Sequence, residues 1–418
     1  MSEVETAEAA EKARVTALIE EHRKLGARFA EFAGWEMPLW YEGASDEHRA
    51  VREAAGLFDI GHMGVFEITG PDAAAFLDVV STGRISAIEV GQCRYTFLLD
   101  YDGLPVDDII VCRLGDERFV AVVNAANAER DWEWLSGLAA GDALLDPEDP
   151  GSRCNFTASL SDLTAENLGA DRLTGMALQG PAADVVLAEL ADSPAEASSL
   201  RRFVMTETTV VGAPALVSRT GYTGESVGYE IFVPAGEAVA VWRAILAEGA
   251  EAGVRPAGLA ARDSLRIEAG LPLYGHELAG PHEITPQGAG YARFVEMDRE
   301  FFVGRDALIA REEERECEIV RFRLDNERAR AIRGEDVVGS RRGQMAGWVT
   351  SCAPVGDTQI GMAWVDRKLA REGAELLLYP ARHMERASDL TDAAALTRGD
   401  RLPIHEGATV LRRFPRKS

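Results

Sequence analysis

The chain lacks any long apolar run, which removes the simplest route into a membrane. No stretch of its 418 residues approaches the roughly 20 consecutive apolar residues that span a bilayer. Cysteine is scarce as well. Cys93, Cys112, Cys154, Cys317 and Cys352 are odd in number and form no CxxC pair. That spacing supports neither a zinc site nor a disulfide framework, and suits free thiols in a reducing cytoplasm. Positive charge is in short supply: 44 Lys and Arg stand against 69 Asp and Glu, a net charge of -25. Nucleic acids and anionic membrane surfaces recruit basic patches, so neither is an expected partner. The first residues, MSEVETAEAAEKARVTALIEEHRKLGARF, are acidic and have no apolar h-region, so neither a signal nor a transit peptide is expected. The expected location is the cytoplasm.

Several chemical signatures are missing too. No P-loop, GxGxxG turn or GxSxG elbow occurs, which leaves nucleotide, flavin and serine-hydrolase chemistry without support. His276-Glu277 and His282-Glu283 lack the HExxH spacing, and Gly280-Pro281 breaks any helix between them. No metal is expected there.

What remains is an ordinary folded protein, 46% hydrophobic and 27% charged, of a length that predicts two or three domains. Residues 5–25 carry Ala, Glu, Lys and Leu at helical spacing and predict a surface helix. The aromatic block Phe32 to Trp40, with Gly34 and Pro38, reads as a packed loop. Glu47–Ala55 reads as a helix ended by Gly56. Val65–Thr69 predicts a strand and Pro71–Val80 a helix with proline at its start. Tyr95–Leu99 and Val106–Leu114 flank the turn Asp100-Tyr101-Asp102-Gly103, a hairpin signal. Arg118–Asn124 predicts a third strand and Ala128–Leu135 a helix. From Met176 the rhythm returns: strand, Gln179-Gly180-Pro181, helix, then paired strands around Gly221-Tyr222-Thr223-Gly224. Leu259–Ala269 is a helix stopped by Gly270. After about residue 310 the pattern turns mostly strand-like, and residues 380–408 read as an inserted loop. Antiparallel strands with local helices make the fold class α+β.

Asp107-Asp108 stands between Val106 and Ile109-Ile110-Val111 in a predicted strand. Successive strand residues face opposite sides, so the two carboxylates have different surroundings. One is expected to face solvent or the turn. The other points with Ile110 into protein, where loss of water raises its pKa and makes it a candidate proton acceptor or amine anchor. The plainer alternative is a pair of aspartates tying off a hairpin.

Tyr222, in a tight glycine-flanked turn, offers an aromatic face, and Glu230 follows on the next strand. A flat heteroaromatic ligand could stack on the one and present ring N–H groups to the other; the alternative is a surface tyrosine on a hairpin. Arg262 and Arg266 share a helix face at i, i+4. They need acids opposite them, either internal partners such as Glu268 or Asp263 or a bound carboxylate.

Eight blocks in fixed order then point to a family: FAGWEMPLWY (32–41), EHRAVREAAGLFDIGHMG (47–64), DGLPVDDIIV (102–111), VVNAANAERDWEWL (122–135), ALQGPAA (177–183), SRTGYTGE (218–225), GLAARDSLRIEAGLPLYGHEL (258–278) and FVGRDALIAR (302–311). Across about residues 20–365 the sequence resembles the aminomethyltransferase (T-protein) family of the glycine cleavage system and its folate-dependent relatives. The resemblance implies a three-domain cloverleaf around a central cavity that takes tetrahydrofolate as co-substrate. It implies no metal and no flavin. The expected division is residues 1–310, two interleaved α+β subdomains, and 311–418, a β-barrel domain carrying the 380–408 insertion. Carried over by position, Asp108 is the catalytic carboxylate and Tyr95 and Tyr222 belong to the folate pocket. Glu230 binds the pterin ring, Arg262 lines the same pocket and Asn124 helps shape it. The implied partner is a lipoylated H-protein that delivers an aminomethyl group. The alternative is a stand-alone tetrahydrofolate-dependent demethylase acting on a small N-, S- or O-methyl compound. A folate-binding paralogue with a reactive-cysteine KGC motif has no match here.

Three departures from the family pattern bear on the site. Gly61 stands where the family has serine, removing a hydroxyl near the pocket. The loop after Tyr222 is one residue longer, which could displace Glu230. Cys352 to Asp357 replace a serine- and proline-bearing turn.

Overall fold

The computed structural model describes residues 13–193, 200–380, 400 and 405–415. Most of the 380–408 insertion, and the first eight residues (5–12) of the expected N-terminal helix, lie outside them. Within the described part that helix is a single short one, Ile19–Lys24, preceded by the strand Arg14–Val15. Among the described residues no helix is long and apolar enough to cross a membrane.

Two sheets carry the larger part of the chain. The five-stranded sheet runs Cys93–Leu99, Pro105–Gly115, Arg118–Val123, Gly64–Thr69, Ser159–Asp162. The six-stranded sheet runs Met205–Val210, Ala213–Ser218, Gly228–Pro234, Leu173–Gln179, Ala55–Asp59, Val254–Pro256. Both are mainly antiparallel. Val65, Val120 and Cys112 from the first share an apolar cluster with Phe58, Ala177 and Phe232 from the second, so one face of each sheet packs on the other. The Ala128–Ala139 helix covers the outer face of the five-stranded sheet through Leu135 and Leu138. Ala183–Leu190 and Ala238–Glu248 do the same for the six-stranded sheet through Val186, Leu187, Val241 and Trp242.

The rhythm seen in the sequence has a common local cause. Gly64–Thr69 leads through Gly70-Pro71 into Ala73–Val80, and Leu173–Gln179 leads through Gly180-Pro181 into Ala183–Leu190. Both glycines take a positive φ, 127° and 133°, which residues with a Cβ rarely adopt. At Gly180 a Cβ would also stand 2.5 Å from the carbonyl oxygens of Val51 and Ala54. The proline that follows is preset for a helix start.

The C-terminal strands close a six-stranded barrel around Val320, Phe322, Val349, Ala363 and Leu378. Cys352 to Val355 are the end of its Met345–Val355 strand, and the chain turns only at Gly356-Asp357. Helix Leu259–Ala269 is the hub of the molecule. It touches helix Ala44–Glu53, the strand Trp35–Trp40 and the barrel strand Met345–Val355, and it ends at Gly270 with φ 74°.

Three expectations need correction. The aromatic block is a β-hairpin, Arg28–Phe32 with Trp35–Trp40, turning at Ala33-Gly34 where both φ values are positive. Gly56 does not end a helix; helix Ala44–Glu53 has already stopped, and Gly56 lies in the strand Ala55–Asp59. Cys93 and Cys112 are not free thiols. They are directly opposed on adjacent antiparallel strands and joined as a disulfide, whereas Cys154, Cys317 and Cys352 are free.

Candidate functional site

A cavity of about 1090 Å³ opens where the two sheets, the hub helix and the barrel meet. Tyr95, Asp108, Asn124, Tyr222, Glu230 and Arg262 all line it. Residues from Tyr95 to Arg262 in sequence thus line one cavity.

Strand register explains the first two, and Asn124 directly follows the neighbouring strand Arg118–Val123. Phe97 opposes Asp108 and Tyr95 opposes Ile110, so these four side chains share the face turned to the cavity. The Tyr95 hydroxyl donates to Asp108 Oδ2 at 2.7 Å, and Asn124 Nδ2 donates to Asp108 Oδ1 at 3.0 Å. Burial, followed by the neighbouring Asp107 charge, lifts the Asp108 carboxyl from its ordinary range to about 7, although both hydrogen bonds pull it down. A group poised there can accept or return a proton near neutrality.

Asp107 behaves otherwise than expected. It faces neither solvent nor the turn but is fully buried on the opposite face of the strand. The Asn124 backbone N–H (2.9 Å), Asn124 Nδ2 (2.9 Å) and Asn127 Nδ2 (2.5 Å) all donate to it. Asn124 therefore bridges the two aspartates and fixes their relative position.

Glu230 lies in unbroken antiparallel register, opposite Ala177 on one side and Ser218 on the other. The extra residue after Tyr222 is absorbed in the loop and does not displace it. The Thr220 hydroxyl donates to Glu230 Oε2. Burial raises the Glu230 pKa, opposed by Thr220 and by Arg262. The loop itself is held by Gln179, whose Nε2 donates to the carbonyls of Thr220 (3.1 Å) and Tyr229 (3.3 Å). A Cβ at Gly221 or Gly228 would collide with that amide, which is why both positions need glycine.

The two arginines of the hub helix part company. Arg266 is the buried one: Nη1 reaches Glu277 at 2.5 Å, Nε reaches Asp263 at 2.8 Å and Nη2 donates to Ser351 at 2.7 Å. Glu277, beside His276, is thus a structural counter-ion. Arg262 faces the cavity with its guanidinium 4.7 Å from the Tyr222 ring centre, a cation–π arrangement. The Tyr222 hydroxyl donates to the Pro272 carbonyl and fixes the ring.

Position 61 is not part of the cavity lining. A Cβ there would strike the Thr174 hydroxyl, so threonine at 174 occupies the space a larger residue would need.

Several lining residues were not singled out from sequence. His62 is buried and its Nδ1 has no partner among the described residues. Burial, then the Arg262 charge, lowers its pKa to about 4, so it is neutral. It sits in a block quoted above but carries no motif of its own. Tyr291, Phe294 and Phe414 supply an aromatic wall from distant segments. Arg202, Arg219 and Arg293 also line the cavity, and Arg202 and Arg293 are exposed. Burial and then the charges of Arg219 and Arg293 lower the Arg202 pKa, as clustered cations must.

The chain is similar to known proteins over most of its length. The family model described as the GCVT N-terminal domain matches residues 18–299. An aminomethyltransferase from Thermoanaerobacter sp. (strain X514) is 39% identical over 366 residues, 86% of this chain and 92% of its own length. One from Saccharopolyspora erythraea is 42% identical over 369 residues, covering 87% and 93%. The crystal structure of glycine cleavage system aminomethyltransferase T from Bartonella henselae superposes with a TM-score of 0.77 at 30% identity. It covers 96% of this chain and 97% of that one.

Proposed function

Because this chain belongs to the aminomethyltransferase family, we propose that its cavity holds tetrahydrofolate against an aminomethyl group on the lipoyl arm of an H-protein. The products are ammonia, 5,10-methylenetetrahydrofolate and the carrier with its lipoyl arm released as the dithiol. The observation that carries this reading is the convergence on one cavity of a carboxylate poised near pH 7, Asp108, and a second buried carboxylate, Glu230, with a stacked Arg262–Tyr222 pair.

Each part has a physical task. Glu230 accepts paired N–H groups from the pterin ring, as a buried carboxylate does well. Tyr222 and Arg262 set the position of that ring. The nitrogen that attacks the transferred carbon must lose a proton as the bond forms, and Asp108 takes it. Tyr95 and Asn124 hold both Asp108 oxygens, so the accepting lone pair has a fixed direction. Orientation of this kind supplies several kcal/mol of the barrier, and a carboxylate in a site screened from water stabilises positive charge that develops nearby.

An acidic carrier would be repelled by a chain of charge -25 unless cations are concentrated where it docks. Arg202, Arg219 and Arg293, gathered on the cavity lining, support that requirement. The reading as a stand-alone demethylase is not favoured, since the relatives matched across most of the chain carry the aminomethyltransferase name. The division at residue 310 into a folate-binding region and a barrel domain belongs to the same proposal.

The test is direct. Protein, tetrahydrofolate and aminomethylated H-protein together should release ammonia and form methylenetetrahydrofolate. Formation of methyltetrahydrofolate from a small methylated amine, sulfonium or aryl ether, with no turnover of the carrier, would overturn the proposal.

A further inference from the structure

Behind Asp108 lies a third carboxylate. Asp131 is fully buried on the Ala128–Ala139 helix. It stands one turn beyond Asn127, the residue just before that helix, so both point from the same side. Asn127 donates to Asp107 at 2.5 Å, and the Asp131 carboxyl reaches the same Asp107. No N–H or O–H group among the described residues donates to either Asp131 oxygen.

A buried carboxylate with no donor costs several kcal/mol. Two carboxylates in contact cannot both be ionised without water, so one holds a proton and donates it to the other. Asp107 already accepts three hydrogen bonds from N–H groups, and each favours its charged form. Asp131 has none. The proton therefore belongs on Asp131, and Asp107 is its acceptor.

We propose that Asp131 is a neutral carboxylic acid that hydrogen-bonds the Asp107 carboxylate, and that this pair fixes the negative charge felt by Asp108, which makes Asp131 a positioning residue for the reaction. The inference rests on the reading of Asp108 as the reacting carboxylate. The pair itself does not depend on that reading.

The charged and titratable groups around the trio agree. Burial, then the Asp107 charge, pushes Asp131 up to about 11, with Arg130 the opposing cation and Asp108 a further anion. Burial raises Asp107, while Asp131, Asn124 and Asn127 hold it down. Tyr95, Tyr222 and Tyr291 face Asp108 from the cavity side. All three hydroxyls are neutral at physiological pH because burial raises them further. The Asp108 charge therefore answers chiefly to Asp107, and Asp107 stays a full anion only while the proton remains on Asp131 and is donated to it as a hydrogen bond.

Two variants separate this arrangement from a merely structural one. Asp131→Asn keeps a neutral N–H donor toward Asp107, so the pH profile of turnover should keep the wild-type midpoint. Asp131→Ala removes the donor. Asp107 then takes up protons more readily, Asp108 loses its repelling neighbour and the midpoint should fall by about one pH unit. Protein labelled with 13C at aspartate carboxyl carbons gives a readout independent of activity. The wild type should show one resonance at the protonated position that does not titrate up to about pH 9, and Asp131→Asn should lack it. If that resonance is missing from the wild type, or if Asp131→Asn lowers the midpoint as an Asp131 anion would require, the proposal is wrong. The resonance needs only the wild type and the near-isosteric Asn variant, so a poorly folding Ala variant would not blunt the test. Failure of the aminomethyl assay with the resonance present would count against the proposed reaction and not against the pair.

Discussion

The Tyr95 hydroxyl lies 2.7 Å from Asp108 Oδ2, reaching it diagonally across a strand pair in which Tyr95 opposes Ile110 and Phe97 opposes Asp108. The contact joins a neutral donor to a carboxylate that burial has made reluctant to ionise. It also gives the sign of a pH effect. The hydrogen bond favours the charged form and so holds the Asp108 pKa down.

Tyr95→Phe removes that donor and leaves the ring packing. The Asp108 pKa should rise, and the acidic limb of the pH–rate profile should move up by about one unit, the size of one hydrogen bond to a charged group. At a pH well above the limb, turnover should approach the wild-type value. A pH–rate series with saturating tetrahydrofolate measures both. An unmoved limb would mean that the hydroxyl does not tune Asp108.

Glu230→Gln keeps the shape of the side chain but exchanges an anionic acceptor for a half-donor amide. Affinity for tetrahydrofolate should fall by about 10- to 100-fold, the worth of charge-assisted hydrogen bonds, while turnover at saturation changes little. Calorimetric titration with tetrahydrofolate reads this. An unchanged Kd would place the pterin elsewhere in the cavity.

Glu277→Gln breaks an ion pair whose side chains are 1% and 0% exposed. Leaving Arg266 with only the half-exposed Asp263 as counter-ion should cost about 3–5 kcal/mol, seen in the urea midpoint. The double variant Arg266→Met/Glu277→Leu should lose less than the single one, because no buried charge is stranded. Burial alone would raise the Glu277 pKa, but Arg266 and its hydrogen bonds hold it below the carboxylate range. The stabilisation is therefore full above the unfolded pKa of about 4.3, and is lost as pH falls below it.

Much of this was legible in the sequence where the signal is local. Helix Leu259–Ala269 has a clear period and a glycine in the left-handed region just past its end. The hairpin carrying Asp108 alternates around an unmistakable turn. All six expected site residues line one cavity. Non-local facts were hidden. Trp35–Trp40 lacks polar alternation and contains Pro38, so its strand depends on pairing that only the folded chain reveals. Cys93 meets Cys112 through a register that spacing does not encode. Phe414 and Arg293 reach the cavity from segments with no motif. Asp131 lay within a quoted block, but its meaning comes from Asp107 on a neighbouring strand.

The central claim is that Asp108 takes the proton at the transferred carbon's new partner. The most direct measurement is the single-turnover rate of Asp108→Asn with saturating tetrahydrofolate and aminomethylated H-protein, read across the pH range of the wild type. The wild-type rate should rise with pH as Asp108 ionises near 7. The variant should be slower by about 100-fold or more, show no such rise, and still bind tetrahydrofolate with near wild-type affinity. A variant that turns over at close to the wild-type rate with the same pH dependence would contradict the account.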